Sequence, residues 1–266
     1  MSQDRKDLWV AGNLYEPYVG RWSRLVAQDF VVWLGVPKQS DWLDVGCGTG
    51  ALTETILKQA RPRTIKGFDP SADFVAHAAA HISDSRALFE VGDAEALPVD
   101  TACFDAAVAG LVLNFVAQPP RAVSEMVRAV RSNGVVAAYV WDYAGEMQLM
   151  RYFWDAAVSL DPAAFDLDEG RRFPLCQAAP LAELFTRAGL KDVEVRQIDV
   201  ATRFRDFDDY WTPFLGGQAP APGYAMSLNE ERRGALRERI RSKLPVATDG
   251  SISLIARAWA VRGRPR

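Results

Sequence analysis

Histidine and cysteine are scarce in this chain, with two and three copies in 266 residues. Cys47, Cys103 and Cys176 are odd in number and widely spaced, which argues against a disulfide framework and against a cysteine zinc site. His77 and His81 stand one helical turn apart, as on metal-binding helices. However, Asp73, His77 and His81 form one polar stripe and Phe74, Val75, Ala78 and Ile82 the apolar one, so both rings should face solvent and no metal is expected. Charge of one sign is also lacking: a net −3 gives no field that would draw the chain to nucleic acid or an anionic membrane. The mixed Glu/Arg run from Glu230 to Lys243 reads as a solvated helix face. No apolar run approaches the ~20 residues of a bilayer span, and the polar opening Met1–Asp7 has no apolar stretch behind it. The expectation is a cytoplasmic protein without a nucleic-acid or membrane partner, although the sequence leaves room for a homodimer.

What is present is an ordinary globular composition, 49% hydrophobic and 24% charged. That is enough for one sizeable core with additions. Residues 13–34 read as one or two helices broken near Gly20, with Leu25, Val26, Phe30, Val31 and Leu34 on one face. Apolar strands ending at Val45, Asp69, Val91, Ala109 and Trp141 then alternate with helices at 50–60, 72–80 and 121–131. This rhythm means parallel crossovers and a doubly wound α/β sheet. Beyond Asp142 it breaks. A helix is predicted over 146–160, irregular chain over 161–177, a helix over 179–188 and strands at 192–200 and 251–261, with a frayed tail from Arg262. We read 1–266 as a single domain: a helical cap (1–36), a core (37–145), and insertions (146–178 and 203–248) too large to lie inside the sheet and therefore expected to act as a lid.

The chain is organised around Asp41-Trp-Leu-Asp44-Val-Gly46-Cys47-Gly48-Thr-Gly50, where a strand turns into a helix and leaves bare backbone. Two cofactor classes fit such a turn. Gly46-x-Gly48-x-x-Ala51 matches a dinucleotide fingerprint, and Asp44-x-Gly46-x-Gly48-x-Gly50 matches the S-adenosylmethionine pattern. A pyrophosphate on a helix N-terminus is repelled by a carboxylate two residues before the first glycine, whereas a sulfonium and an ammonium are attracted by it. Asp44 therefore favours S-adenosyl-L-methionine; the alternative for this side chain is a strand-end residue accepting backbone N–H bonds. Cys47 reads as a small residue filling a tight place. Asp69, ending the second strand before Pro70, is placed to reach a ribose diol. Asp93, after Gly92, can accept from an exocyclic amine, with the Ala94 N–H free for a ring nitrogen; a helix N-cap is its other reading. Asp44, Asp69, Asp93, Gly110 and Asp142 should gather beyond the carboxyl ends of the strands.

Four ordered motifs carry a resemblance: Asp44-Val-Gly-Cys-Gly-Thr-Gly50, Phe68-Asp-Pro-Ser71, Gly92-Asp-Ala-Glu-Ala-Leu-Pro98 and Phe104-Asp-Ala-Ala-Val108. Over about residues 10–200 the chain resembles the small-molecule class I S-adenosylmethionine-dependent methyltransferases related to ubiquinone and menaquinone biosynthesis. The resemblance implies a seven-stranded sheet in the order 3-2-1-4-5-7-6, with the last strand antiparallel. It also implies that Asp69 binds the ribose, Asp93 and Ala94 the adenine, the Gly46 to Gly50 backbone the methionine moiety, and Leu111 the ligand from the end of the fourth strand, with Pro70, Gly92, Glu95 and Gly110 beside them in the cofactor site. Tyr15 to Ser23 looks like an N-terminal signature of one bacterial subgroup, with Arg21 or Tyr15 meeting the methionine carboxylate.

No catalytic residue is carried over, since in-line displacement from a sulfonium depends chiefly on alignment. Asp142, Tyr143 and Asn114 are the nearest polar candidates for an acceptor that needs a base. Tyr18, Trp211 and Phe214 complete the expected pocket for a small-molecule methyl acceptor. Two other functions stay open on the sequence: an NAD(P)-dependent oxidoreductase, and a methyltransferase-like protein that binds without turnover.

Overall fold

Strand β1 (Asp41–Val45) is buried along its whole length and has a strand on either side of it. In the computed structural model, which describes residues 20–217 and 219–266, it is the third strand of a seven-stranded sheet of order β3-β2-β1-β4-β5-β7-β6. The others are β2 (Thr64–Asp69), β3 (Ala87–Val91), β4 (Phe104–Gly110), β5 (Val130–Trp141), β6 (Lys191–Phe204) and β7 (Ile252–Arg264). β1 pairs with β2 and β4 in parallel, as do β2 with β3 and β4 with β5, whereas β7 runs antiparallel to β5. The expected fold class and strand order are those found.

The chain divides into two compact units. The sheet unit comprises 23–141, 175–198 and 258–266. Its core joins Leu43 and Val45 of β1, Ala107 and Ala109 of β4 and Val136, Ala138 and Val140 of β5 to helix faces such as Val123 and Met126. The second unit comprises, among the described residues, 20–22, 142–174 and 199–257, and has an aromatic core of its own. There Phe153 stacks on Phe214 at 4.5 Å between ring centroids, Trp154 lies at 5.6 Å from Tyr224, and the Tyr210 hydroxyl donates to the Leu149 carbonyl at 2.8 Å.

Several boundaries differ from the sequence reading. The helix expected over 121–131 is Pro119–Ala129, and β5 starts at Val130, paired with Phe104. A register shift between Phe104 and Ala106, with Asn133 at φ 65°, absorbs the turn-like Ser132-Asn133-Gly134 as a bulge within the strand. The tail is not frayed: β7 continues to Arg264, and Arg262 pairs with Glu194 at 2.7 Å and donates to the Trp33 carbonyl at 2.7 Å. Leu25, assigned to the inner face of its helix, is 41% exposed, while Trp22, Val26 and Phe30 are buried. Tyr15, Tyr18 and the start of the helical cap lie outside the described residues.

Candidate functional site

The turn after β1 owes its shape to three glycines in left-handed conformations: Gly46 at φ 72°, Gly48 at φ 53° and Gly50 at φ 90°. A Cβ on Gly46 would lie 2.4 Å from the Val112 side chain, so the loop after β4 closes directly on the turn. A Cβ on Gly48 would meet nothing within 4 Å. One side of the turn is therefore packed and the other is bare backbone that a ligand can approach. The Gly46 and Cys47 N–H groups both donate to the Phe68 carbonyl, at 2.7 and 2.9 Å, which ties the turn to β2.

Two carboxylates frame this backbone. Asp69 accepts from the Gly48 N–H at 3.0 Å on one oxygen and from the Ser71 N–H at 2.9 Å on the other. Ser71 caps the following helix, its hydroxyl accepting from the Phe74 N–H. Each carboxylate oxygen of Asp69 keeps lone-pair capacity for a further donor. Burial raises its pKa despite these two bonds. Asp44 is more extreme, with no exposed surface. Its Oδ2 accepts from the Thr53 hydroxyl at 2.7 Å, and its Oδ1 is buried with no partner among the described residues. Desolvation above all, with the charge of Asp69 adding to it, pushes Asp44 up to about 7. An acceptor left unpaired in this way costs free energy unless a ligand donates to it. Burial, and then the charges of Asp44 and Asp69, also push the Cys47 thiol far up, so it is a packing residue and not a nucleophile.

Asp93 is exposed and folds back on its own turn, its Oδ1 accepting from the Glu95 N–H at 2.9 Å. Glu95 accepts from the Gln118 N–H at 2.9 Å, where helix Pro119–Ala129 begins without a side-chain cap of its own. This carboxylate thus has a capping task that the sequence did not disclose. Pro70 is exposed, and Ala94 is buried. Gly110 leaves room for Tyr139, whose hydroxyl would lie 2.7 Å from an added Cβ. Leu111 is held at φ 63° by its N–H bond to the Tyr139 carbonyl at 2.8 Å. Asn114 follows on the same loop, its Oδ1 buried and without a partner among the described residues.

The sheet unit thus contains Asp44, Gly46 to Gly50, Asp69, Pro70, Gly92 to Glu95, Gly110, Leu111 and Asn114. The remaining described candidates belong to the second unit. There Arg21 lies 4.4 Å from the Trp22 ring and 4.9 Å from the Phe204 ring, and it contacts Asp209 at 3.4 Å. Its Nε and Nη2 are buried without hydrogen-bond partners among the described residues. Asp142 is buried and accepts from the Glu146 N–H at 3.0 Å, closing its own turn. Tyr143 faces the Phe173 ring at 5.9 Å, and Trp211 and Phe214 are buried in the aromatic core of that unit. Sequence reasoning passed over Thr53, although a threonine beside Leu52, Ile56 and Leu57 on the buried side of a helix is a signal. It also missed Glu169, a buried acid bonded to the Trp154 indole, which desolvation pushes up to about 8.

A family profile described as a methyltransferase domain matches residues 43–138, the stretch that contains the glycine turn and both buried acids. Over 170 residues the chain is 31% identical to a demethylmenaquinone methyltransferase of Roseiflexus castenholzii, an overlap of 59% of this chain and 70% of that protein. The chain belongs to the class I methyltransferases. This methyltransferase is also 29% identical over 156 residues to a chloroplastic 2-methyl-6-phytyl-1,4-hydroquinone methyltransferase of Oryza sativa subsp. japonica, covering 59% of this chain and 40% of that one. Its fold is similar to phosphoethanolamine N-methyltransferase 2 of Haemonchus contortus, solved in complex with S-adenosyl-L-methionine. The TM-score is 0.57 at 15% identity, covering 90% of this chain and 52% of the other. No helix among the described residues is long and apolar enough to cross a membrane.

Proposed function

We propose that this methyltransferase transfers a methyl group from S-adenosyl-L-methionine to a small hydroquinone-type acceptor. The observation that carries the cofactor half is the orphaned Oδ1 of Asp44, buried at the foot of a bare glycine turn. A buried acceptor next to a second carboxylate suits an ammonium or a sulfonium and repels a diphosphate. The residues therefore fit the group. Asp44 takes the cationic methionine end, the Gly46 to Gly50 backbone allows close approach, Asp69 accepts from the ribose diol, and Asp93 accepts from the adenine amine. When bound, the cofactor supplies an electrophilic methyl, which passes to the acceptor as the S–C electron pair stays on sulfur and the acceptor loses a proton. The chain's own contribution is alignment and exclusion of water. The acceptor half is supported by the names of two relatives, one a demethylmenaquinone and the other a hydroquinone methyltransferase.

Calorimetry with S-adenosylhomocysteine and transfer of labelled methyl from S-adenosyl-L-methionine to 1,4-hydroquinones test the two halves. Saturable binding and label in the quinol fraction are expected. No binding at millimolar concentration refutes the cofactor assignment, and stabilisation by NAD(P)H alone restores the oxidoreductase. Binding without transfer to any acceptor points to the non-catalytic alternative.

A further inference from the structure

Acidic groups stand in a row at the carboxyl ends of adjacent strands. Asp93 follows β3, Asp69 ends β2, and Asp44 lies near the end of β1. On the proposed function, these three acids take the cofactor's three donor groups in the same order: adenine amine, ribose diol and methionine ammonium. The next strand in the sheet is β4, and the loop leaving it carries Asn114. This loop is firmly placed. Val112 presses on Gly46, Leu113 is fully buried in the core, and the Phe115 N–H donates to the Val112 carbonyl at 2.8 Å. Asn114 Oδ1 sits on this placed loop as a buried acceptor with no donor among the described residues. The amine, the diol and the ammonium each face an acid on the first three strands, so the donor assigned to the fourth is that of whatever lies next along the row, beyond the methionine end.

We infer that Asn114 Oδ1 accepts the hydroxyl hydrogen of the methyl acceptor, and that Asn114 is the positioning residue that selects a free phenolic O–H. The inference rests on the proposed function and names the group that reads the acceptor. A carboxamide bears no charge and removes no proton, so its effect lies in orientation and in discrimination. An acceptor whose hydroxyl is capped as an ether leaves Asn114 Oδ1 still unpaired. A site built around a hydrogen bond rejects such analogues more strongly than an apolar pocket rejects a change of size.

The test is calorimetric, on full-length protein saturated with S-adenosylhomocysteine. The probes are an alkyl-substituted 1,4-hydroquinone and its di-O-methyl ether. The wild type should bind the hydroquinone roughly 10- to 100-fold more tightly than the ether. Asn114→Ala should bring that ratio to within about threefold, while the S-adenosylhomocysteine dissociation constant stays within about twofold. Asn114→Leu, which fills the same space, gives the same reading where the alanine variant melts early. An unchanged ratio in either folded variant overturns the inference, as does a large loss of S-adenosylhomocysteine affinity, which would make Asn114 a cofactor residue. Failure of the hydroquinone to bind the loaded wild type overturns it as well. Failure of wild-type protein to bind S-adenosylhomocysteine is a different result, which removes the proposed function itself.

Discussion

Replacing Asp44 by asparagine should move stability and cofactor affinity in opposite directions. Asp44 is held at about 7 instead of its ordinary 3.8 because its carboxylate is fully desolvated. Between those two pH values the unfolded chain has released the proton and the folded chain has kept it. Stability therefore falls as pH rises through this window, by roughly 1.4 kcal/mol per unit, and stays low above it. Over the window the loss is on the order of 4 kcal/mol. The substituted carboxamide would keep an oxygen for the Thr53 hydroxyl and, like the protonated acid, leaves its other polar atom without a partner. Asp44→Asn and the wild type should thus be about equally stable near pH 4, and the variant should be more stable by about 3–4 kcal/mol at pH 8. Urea unfolding monitored by tryptophan fluorescence from pH 4 to 8 reads this directly. Calorimetry on the same samples should show the opposite effect. Wild-type affinity for S-adenosylhomocysteine should rise up to tenfold per unit as pH approaches 7 and then level off, because an ammonium needs the ionised acid. The variant should bind weakly with no such rise. Stability curves that run parallel from pH 4 to 8, or undiminished affinity in the variant at pH 8, would refute this reasoning.

Asp69→Ala should weaken S-adenosylhomocysteine binding by one to two orders of magnitude, since Asp69 both anchors the Gly48 amide and faces the proposed ribose site; an unchanged dissociation constant removes the ribose assignment. Gly46→Ala places a Cβ 2.4 Å from Val112 at φ 72°, so the melting midpoint should fall by the equivalent of about 2–4 kcal/mol, and an unshifted melt would show that the loop after β4 moves freely. Hydrogen bonding from Arg63, assisted by Thr64 and Arg131, holds Asp41 at about 2 at the other end of β1. Its contribution is present above pH 4 and lost as pH falls through 2; allowing for the exposed arginine, Asp41→Asn should cost about 1–2 kcal/mol at pH 7 and little at pH 2, by urea titration at both. Cys47 should resist thiol reagents in the native state at pH 8 and react only after unfolding, so fast native labelling confined to Cys47 would contradict its burial.

The glycine turn was legible in the sequence because its requirements are local. Positive φ favours glycine, a parallel strand between two neighbours favours a short apolar run, and a carboxylate beside such a turn suits a cationic ligand better than a diphosphate. Asp69 was legible for the same reason, standing at the end of an apolar strand and just before a helix cap. Glu95 shows where such reading stops. Its position in the Gly92 to Pro98 segment suggested the ligand, yet its carboxylate caps a helix that begins more than twenty residues later. Ser132-Asn133-Gly134 reads as a turn by composition, but the pairing of Val130 with Phe104 carries the strand through it as a bulge. Arg262 and Arg264 looked like a loose charged tail, and their partners Glu194 and the Trp33 and Asn133 carbonyls are far away in the chain.

By itself the sequence determined the order of strands and helices, the conformation of the turn after β1 and the acidic residues placed at the strand ends, all of which follow from periodicity and from backbone sterics within a few residues. Only the tertiary structure decided which polar atoms lack a partner. Asp44 Oδ1 and Asn114 Oδ1 are buried with no donor among the described residues, a fact that belongs to the folded surroundings of each atom and not to its neighbours in the chain. Desolvation depends on everything that surrounds an atom, and no stretch of sequence contains its own surroundings.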